Sequence, residues 1–170
     1  TADYKGCGFS EAMLTLTDQL MEPQKSIPGT INVEGYAWGF GGRVLLEGMQ
    51  TMLDELGLRI LNCLPNCTTA DIVKAPAAQL NIARRKRWAM ALHERFGTEY
   101  MHIHGFARYT GLDGILLFYR ELAGKMELGI DVDRIFAPRI ERARARIAAC
   151  TDAYRGKRIV LMPRMFTQIP

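Results

Sequence analysis

The chain has 170 residues, 48% apolar and 24% charged, which allows one domain with a substantial core and excludes a disordered or fibrous segment. No apolar run approaches the roughly 18 residues that span a bilayer, and the opening Thr1-Ala-Asp-Tyr-Lys5 is no signal peptide, so a cytoplasmic protein without a membrane partner is expected. The net charge of +4 comes without a recognised nucleic-acid module, and cysteines at 7, 63, 67 and 150 lack a disulfide-framework spacing, so no nucleic acid and a reducing compartment are expected.

In chain order, Phe9, Met13, Leu16 and Leu20 fall on one helical stripe, with Ser10 a candidate cap and Pro23 closing the segment. This helix and its connector, residues 1–29, are expected to enter from a preceding domain. A strand is predicted over 30–33, followed by a glycine cluster and a helix whose buried stripe is Leu45, Met49, Met52, Leu53 and Leu56, ended by Gly57. Strand, glycine loop and helix together open a parallel α/β unit. A second strand is predicted over 58–63, and Thr68-Thr-Ala-Asp71 matches a capping box that starts a short helix. A third strand over 79–83 precedes a helix marked by Trp88, Leu92 and Phe96 and stopped by Gly97. A fourth strand over 99–103 precedes a second capping-box match, Thr110-Gly-Leu-Asp113, opening a helix striped by Leu112, Ile115, Leu116, Tyr119 and Leu122.

These elements predict an α/β fold, a Rossmann-like doubly wound parallel sheet of order 2-1-3-4 with flanking helices, over residues 30–125. Residues 126–170 then read as a long helix and a strand leading to a next domain. Phe136, Ile140, Ala143, Ile147, Cys150 and Tyr154 share one face of that helix, and Arg139, Arg142, Arg144 and Arg146 lie largely off it as a solvated face. Pro138 fits only a first turn, so the regular helix is expected from about residue 137. A fifth strand is predicted from Lys157 to Met162, and a start without Met is read as a segment of something longer.

The order of these elements, with particular residues, resembles component 1 of the nitrogenase superfamily, closest to its α-type subunits. The residues that carry it are Asn32-Val-Glu-Gly-Tyr-Ala-Trp-Gly-Phe-Gly-Gly42, Glu55-Leu-Gly-Leu-Arg59, Leu80-Asn-Ile82, Glu94-Arg-Phe-Gly97, Tyr100-Met101 and Gly156-Lys-Arg158. The resemblance implies a middle-domain segment of a nitrogenase-like oxidoreductase subunit, itself inactive in isolation. It also implies an iron–sulfur or related metallocluster in the full complex, a homologous β-type subunit, and electrons from an ATP-dependent iron–sulfur reductase. The substrate would be one other than dinitrogen, such as a tetrapyrrole; the alternative is a scaffold on which a metallocofactor is assembled without turnover.

One departure matters. Where the family places a cofactor-ligating cysteine after the Leu-Asn-Leu strand, this chain has Arg85, within Arg84-Arg-Lys-Arg87. Arginine cannot ligate iron through sulfur, so no metal ligand and no catalytic residue is assigned. The basic run, set at a loop-to-helix start where amides and the helix dipole favour anions, is read either as an anion site or as a surface patch paired with acidic neighbours. The candidate cofactor-binding rim is Gly35, Tyr36, Trp38, Gly41, Gly42, Arg84, Arg85, Arg87, His102 and His104. A Cys₂His₂ site from Cys63, Cys67, His102 and His104 is disfavoured, because the second and fourth strands would lie roughly 14 Å apart at ~4.8 Å per spacing. Gly39-Phe-Gly-Gly42 also departs from the dinucleotide fingerprint, with Val44 at its third glycine position and no acid closing the second strand.

Overall fold

The computed structural model describes residues 4–35, 42–64, 66–103 and 108–158. In chain order these form α1 (Tyr4–Gln19), β1 (Ile27–Glu34), α2 (Gly42–Asp54), β2 (Arg59–Leu64), α3 (Thr69–Val73), a 3₁₀ turn (Ala75–Ala77), β3 (Ala78–Ala83), α4 (Lys86–Phe96), β4 (Glu99–His102), α5 (Gly111–Lys125) and α6 (Val132–Tyr154). They divide into two compact units, residues 1–104 and residues 105–170. The predicted fifth strand lies outside the described residues, apart from its first two positions.

The first unit holds a four-stranded sheet of order β2-β1-β3-β4, every pairing parallel, as the sequence predicts. Parallel neighbours need a crossover, and α2, α3 with its 3₁₀ turn, and α4 supply one between each successive pair of strands. Ile31, Val33, Leu80 and Ile82 are buried to within 1% exposure. The opposite face carries a second core in which Met13 of α1, Met21, Leu64, Ile72, Ala83 and Trp88, Ala89 and Leu92 of α4 pack together. Trp88 is fully buried and its indole N–H donates to Thr17 Oγ1 at 3.2 Å, which fastens α1 to α4.

Beneath that second core runs a row of amides. Period-two alternation and the register set Asn62, Asn32 and Asn81 side by side on β2, β1 and β3. Asn62 Nδ2 donates to Asn32 Oδ1 at 2.9 Å, and Asn32 Nδ2 donates to Asn81 Oδ1 at 2.8 Å and to the Ala75 carbonyl at 2.7 Å. All three residues are buried, so these bonds offset much of a desolvation cost of about 1–3 kcal/mol per amide, with Asn81 Nδ2 left buried without a partner among the described residues.

Helix ends follow local chemistry, with three departures from expectation. The Thr68–Asp71 capping box forms in both directions. Gly57, at φ 73, closes α2, with Leu58 N donating to Leu53 O at 2.9 Å and Gly57 N to Asp54 O at 3.1 Å. Ser10 is not a cap: α1 begins at Tyr4, and Ser10 lies inside it. The second capping box does not form, since α5 opens with Thr110 at the cap position but no side-chain cap bond, Gly111 following with φ 75. The long helix starts at Val132 rather than near 137, because Asp131 caps it by accepting from Arg134 N at 3.1 Å. Pro138 therefore sits inside α6, where it cannot donate the usual bond to the carbonyl four residues earlier.

In the second unit α5 packs on α6 through a relay of edge-to-face rings: Tyr109 on Phe118 at 5.5 Å, Phe118 beside Tyr119 at 5.0 Å, and Tyr119 on Phe136 at 5.1 Å. Gly114 is obligatory there, since a Cβ would stand 2.5 Å from the Tyr109 carbonyl carbon.

Candidate functional site

Because the four strands are parallel, their carboxyl ends form one rim. Register places Leu64, Glu34, Ala83 and His102 in one row across that rim, on the face that carries the amide row. Cys63, Val33, Ile82 and Met101 form the row before it, on the other face.

Glu34 is the centre of the rim. Its side chain is fully buried, and its Oε2 accepts the backbone N–H of Arg84 at 2.9 Å and of Arg85 at 3.0 Å. Its Oε1 pairs with the Arg85 guanidinium, which keeps about a third of its surface exposed. A carboxylate with three charge-assisted partners fixes the turn from β3 into α4 in one geometry. The chain then doubles the fastening: Arg84 Nη1 donates to the Gly35 carbonyl at 3.1 Å, and Gly35 N donates to Leu64 O at 3.1 Å. Gly35 has φ 86, and a Cβ there would press on Arg84 Cδ at 3.1 Å and Arg85 Nη1 at 3.2 Å. Only glycine suits that backbone and that space.

This arrangement changes the meaning of the basic run. The sequence offers the amides before α4 to an external anion; the structure gives two of them to the chain's own Glu34 carboxylate. Arg87 is engaged elsewhere, in an exposed pair with Glu11 of α1. Gly35, Arg84, Arg85 and His102 are brought together, with His102 Nε2 3.3 Å from the Arg84 carbonyl, to which its N–H tautomer donates. Gly42 begins α2. Tyr36, Trp38, Gly41 and His104 lie outside the described residues.

Cys63 and Cys67 stay thiols at neutral pH. Burial pushes the Cys63 thiol up, and burial, then the Asp71 carboxylate and Cys63, push Cys67 up to about 11. Cys67 packs against the core of the amide-row face, and Cys63 and His102 stand on edge strands and on opposite faces of the sheet. Among the described residues no three His, Cys, Asp or Glu side chains converge as metal ligands.

Sequence reasoning passes over Glu34 as a site residue. Its signal is a lone acid ending an apolar strand, Ile31-Asn-Val-Glu34, immediately before a glycine, with the basic run following the strand predicted to be its neighbour.

The profile described as "Nitrogenase component 1 type Oxidoreductase" matches residues 3–164. Among curated proteins no significant match is found. Two similar solved structures are described as "Nitrogenase Cp1 at pH 5" and "Nitrogenase Cp1 at pH 6.5". Both are 19% identical to this chain; they align over 79% and 81% of it with TM-scores of 0.59 and 0.61. The chain spans only 28% and 27% of their lengths, and at that identity the likeness is one of fold.

Proposed function

Since this chain belongs to the nitrogenase component 1 type oxidoreductase family, we propose that it forms one wall of a ligand cleft in a larger oxidoreductase subunit. That subunit would pair with a homologous β-type subunit and receive electrons from an ATP-dependent iron–sulfur reductase. The observation that carries this reading is the family match over residues 3–164, joined to a parallel sheet whose carboxyl-end rim is braced by Glu34.

A metallocluster would supply electron storage and transfer in the full complex, but its ligation does not fit the described residues here. Among the described residues no three His, Cys, Asp or Glu side chains converge, and Arg85 occupies the place where the resemblance expects a ligating cysteine. The contribution of this segment is therefore positional. Arg84, packed over Gly35 and donating to its carbonyl, brings positive charge to the rim, Arg85 stands beside it with its charge offset by Glu34, and His102 completes the row from β4. Such a wall suits an anionic ligand such as a carboxylated or phosphorylated one.

The test uses the full-length parent purified without oxygen, with its partner subunit and the cognate reductase. ATP-dependent reduction that falls at least about tenfold in Arg84→Ala, but not in Arg142→Ala on α6, is the expected result. Transfer of a cluster to another protein without turnover would replace the enzyme reading with a scaffold. Equal effects of the two substitutions would remove the rim assignment.

A further inference from the structure

We propose that the C-terminal half of α6 is one side of a helix–helix interface whose other side is an acidic amphipathic helix of a partner protein. Phe136, Ile140, Ala143, Ile147, Cys150 and Tyr154 alternate four and three residues apart, the seam of a two-helix contact carried without a break over the whole helix.

The chain covers only half of that seam among the described residues. Phe136 is fully buried, Ile140 is 8% exposed and Ala143 is half-buried, whereas Ile147 is 55% exposed and Tyr154 is 60% exposed. From Glu141 to Tyr154 every residue except Ala143 is exposed. A helical stretch of that length is marginal in water without tertiary cover. An unbroken apolar seam in which a large aliphatic and a tyrosine face solvent is the pattern of a surface awaiting a helix.

Charge selects the partner. Beside the uncovered half, Arg146 occupies one flank of the seam and Arg144, whose Nη2 also lies 4.0 Å from Asp113 of α5, the other, positions whose charges flank a partner helix in such a contact. From Arg139 to Arg158 the chain has seven basic and two acidic residues. A second copy of the same helix would bring like charges together along both flanks, so self-pairing is opposed. A helix with an apolar stripe flanked by Glu or Asp satisfies seam and flanks together. Nucleic acid would satisfy the flanks and leave the seam wet.

Cys150 lies in the middle of the exposed seam and reports its occupancy. The probes are two synthetic four-heptad peptides with Leu at both seam positions, one carrying Glu at every flanking position and the other Lys, so that neither pairs with itself. The expected result with the unsubstituted chain is that the Glu peptide binds, slows maleimide alkylation of Cys150 at least about tenfold, and weakens with added salt, while the Lys peptide does neither. Ile147→Asp should abolish binding of the Glu peptide, and the double change Arg144→Glu with Arg146→Glu should transfer the preference to the Lys peptide. All three substituted residues are exposed, and the shielding of Cys150 in the unsubstituted chain decides without the variants. Equal shielding by the two peptides, or shielding by neither, overturns the proposal. So does a concentration-dependent dimer that Ile147→Asp dissolves, or a duplex DNA oligomer that binds and is indifferent to Ile147→Asp.

Discussion

Replacing Glu34 with alanine would leave two backbone donors and a part-exposed guanidinium without their carboxylate, a loss of at most about 3–5 kcal/mol, the figure for breaking a fully buried pair. Urea unfolding should show that loss, and added formate should restore part of it by re-entering the space, which acetate fits less well. Arg85→Ala strands the same carboxylate from the other side and should also destabilise, whereas Arg87→Ala breaks an exposed pair with Glu11 and should change stability by about 0.5 kcal/mol or less. The thiols give a second prediction. A raised folded pKa means that the folded chain keeps a proton the unfolded chain releases, so stability is full below the ordinary value of 9.0 and falls as pH climbs toward about 11. Cys67→Ala should flatten that fall in a stability-versus-pH series. At this scale the sequence is readable at the Thr68–Asp71 box, whose partners are three residues apart, though not at the similar Thr110–Asp113 match, and it is unreadable at Glu34. Glu34 and Arg85 are brought into contact only by strand pairing, and no spacing rule links an acid to an arginine that far along the chain.

At the scale of elements, most boundaries follow caps and glycines, and the misplaced start of the long helix has a clear cause. Proline propensity taken alone puts the start of the long helix too late, because an aspartate cap and the docking of Phe136 and Val132 outweigh one missing hydrogen bond at Pro138. The end of α5 offers a test with two signs. Leu128 N donates to Ala123 O and Glu127 N to Gly124 O, a close that wants glycine, yet Glu127 fills it with φ 52. Glu127→Gly should therefore stabilise by about 1 kcal/mol. Gly114→Ala should do the opposite and by more, since its Cβ would meet backbone atoms of Tyr109 that cannot step aside. Thermal unfolding of the two variants should move in opposite directions.

For the molecule as a whole, the sheet order is legible because each strand–crossover–strand unit has few ways to close, and alternating strand and helix signals are hard to mistake. What is not legible is how the surfaces are shared out: nothing in the spacing of the α6 seam tells that its first half is covered and its second half is not. Amide hydrogen exchange should map the difference. Amides of β1 and β3, central in the sheet, should exchange only on global opening, and those of α6 beyond Glu141 by local fraying, orders of magnitude faster. The row Asn62–Asn32–Asn81 acts on time as well as on stability. Parallel strands find their partners late, across long loops, and a wrong pairing can trap the chain before the right one forms. A slip by one residue would turn these amides onto the other face, and a slip by two would set Asn32 against Leu64 of β2 or Ala83 of β3, so a misaligned sheet loses the bonds that join the three amides. Such traps are shallow, and the chain can leave them and try again until the three carboxamides meet.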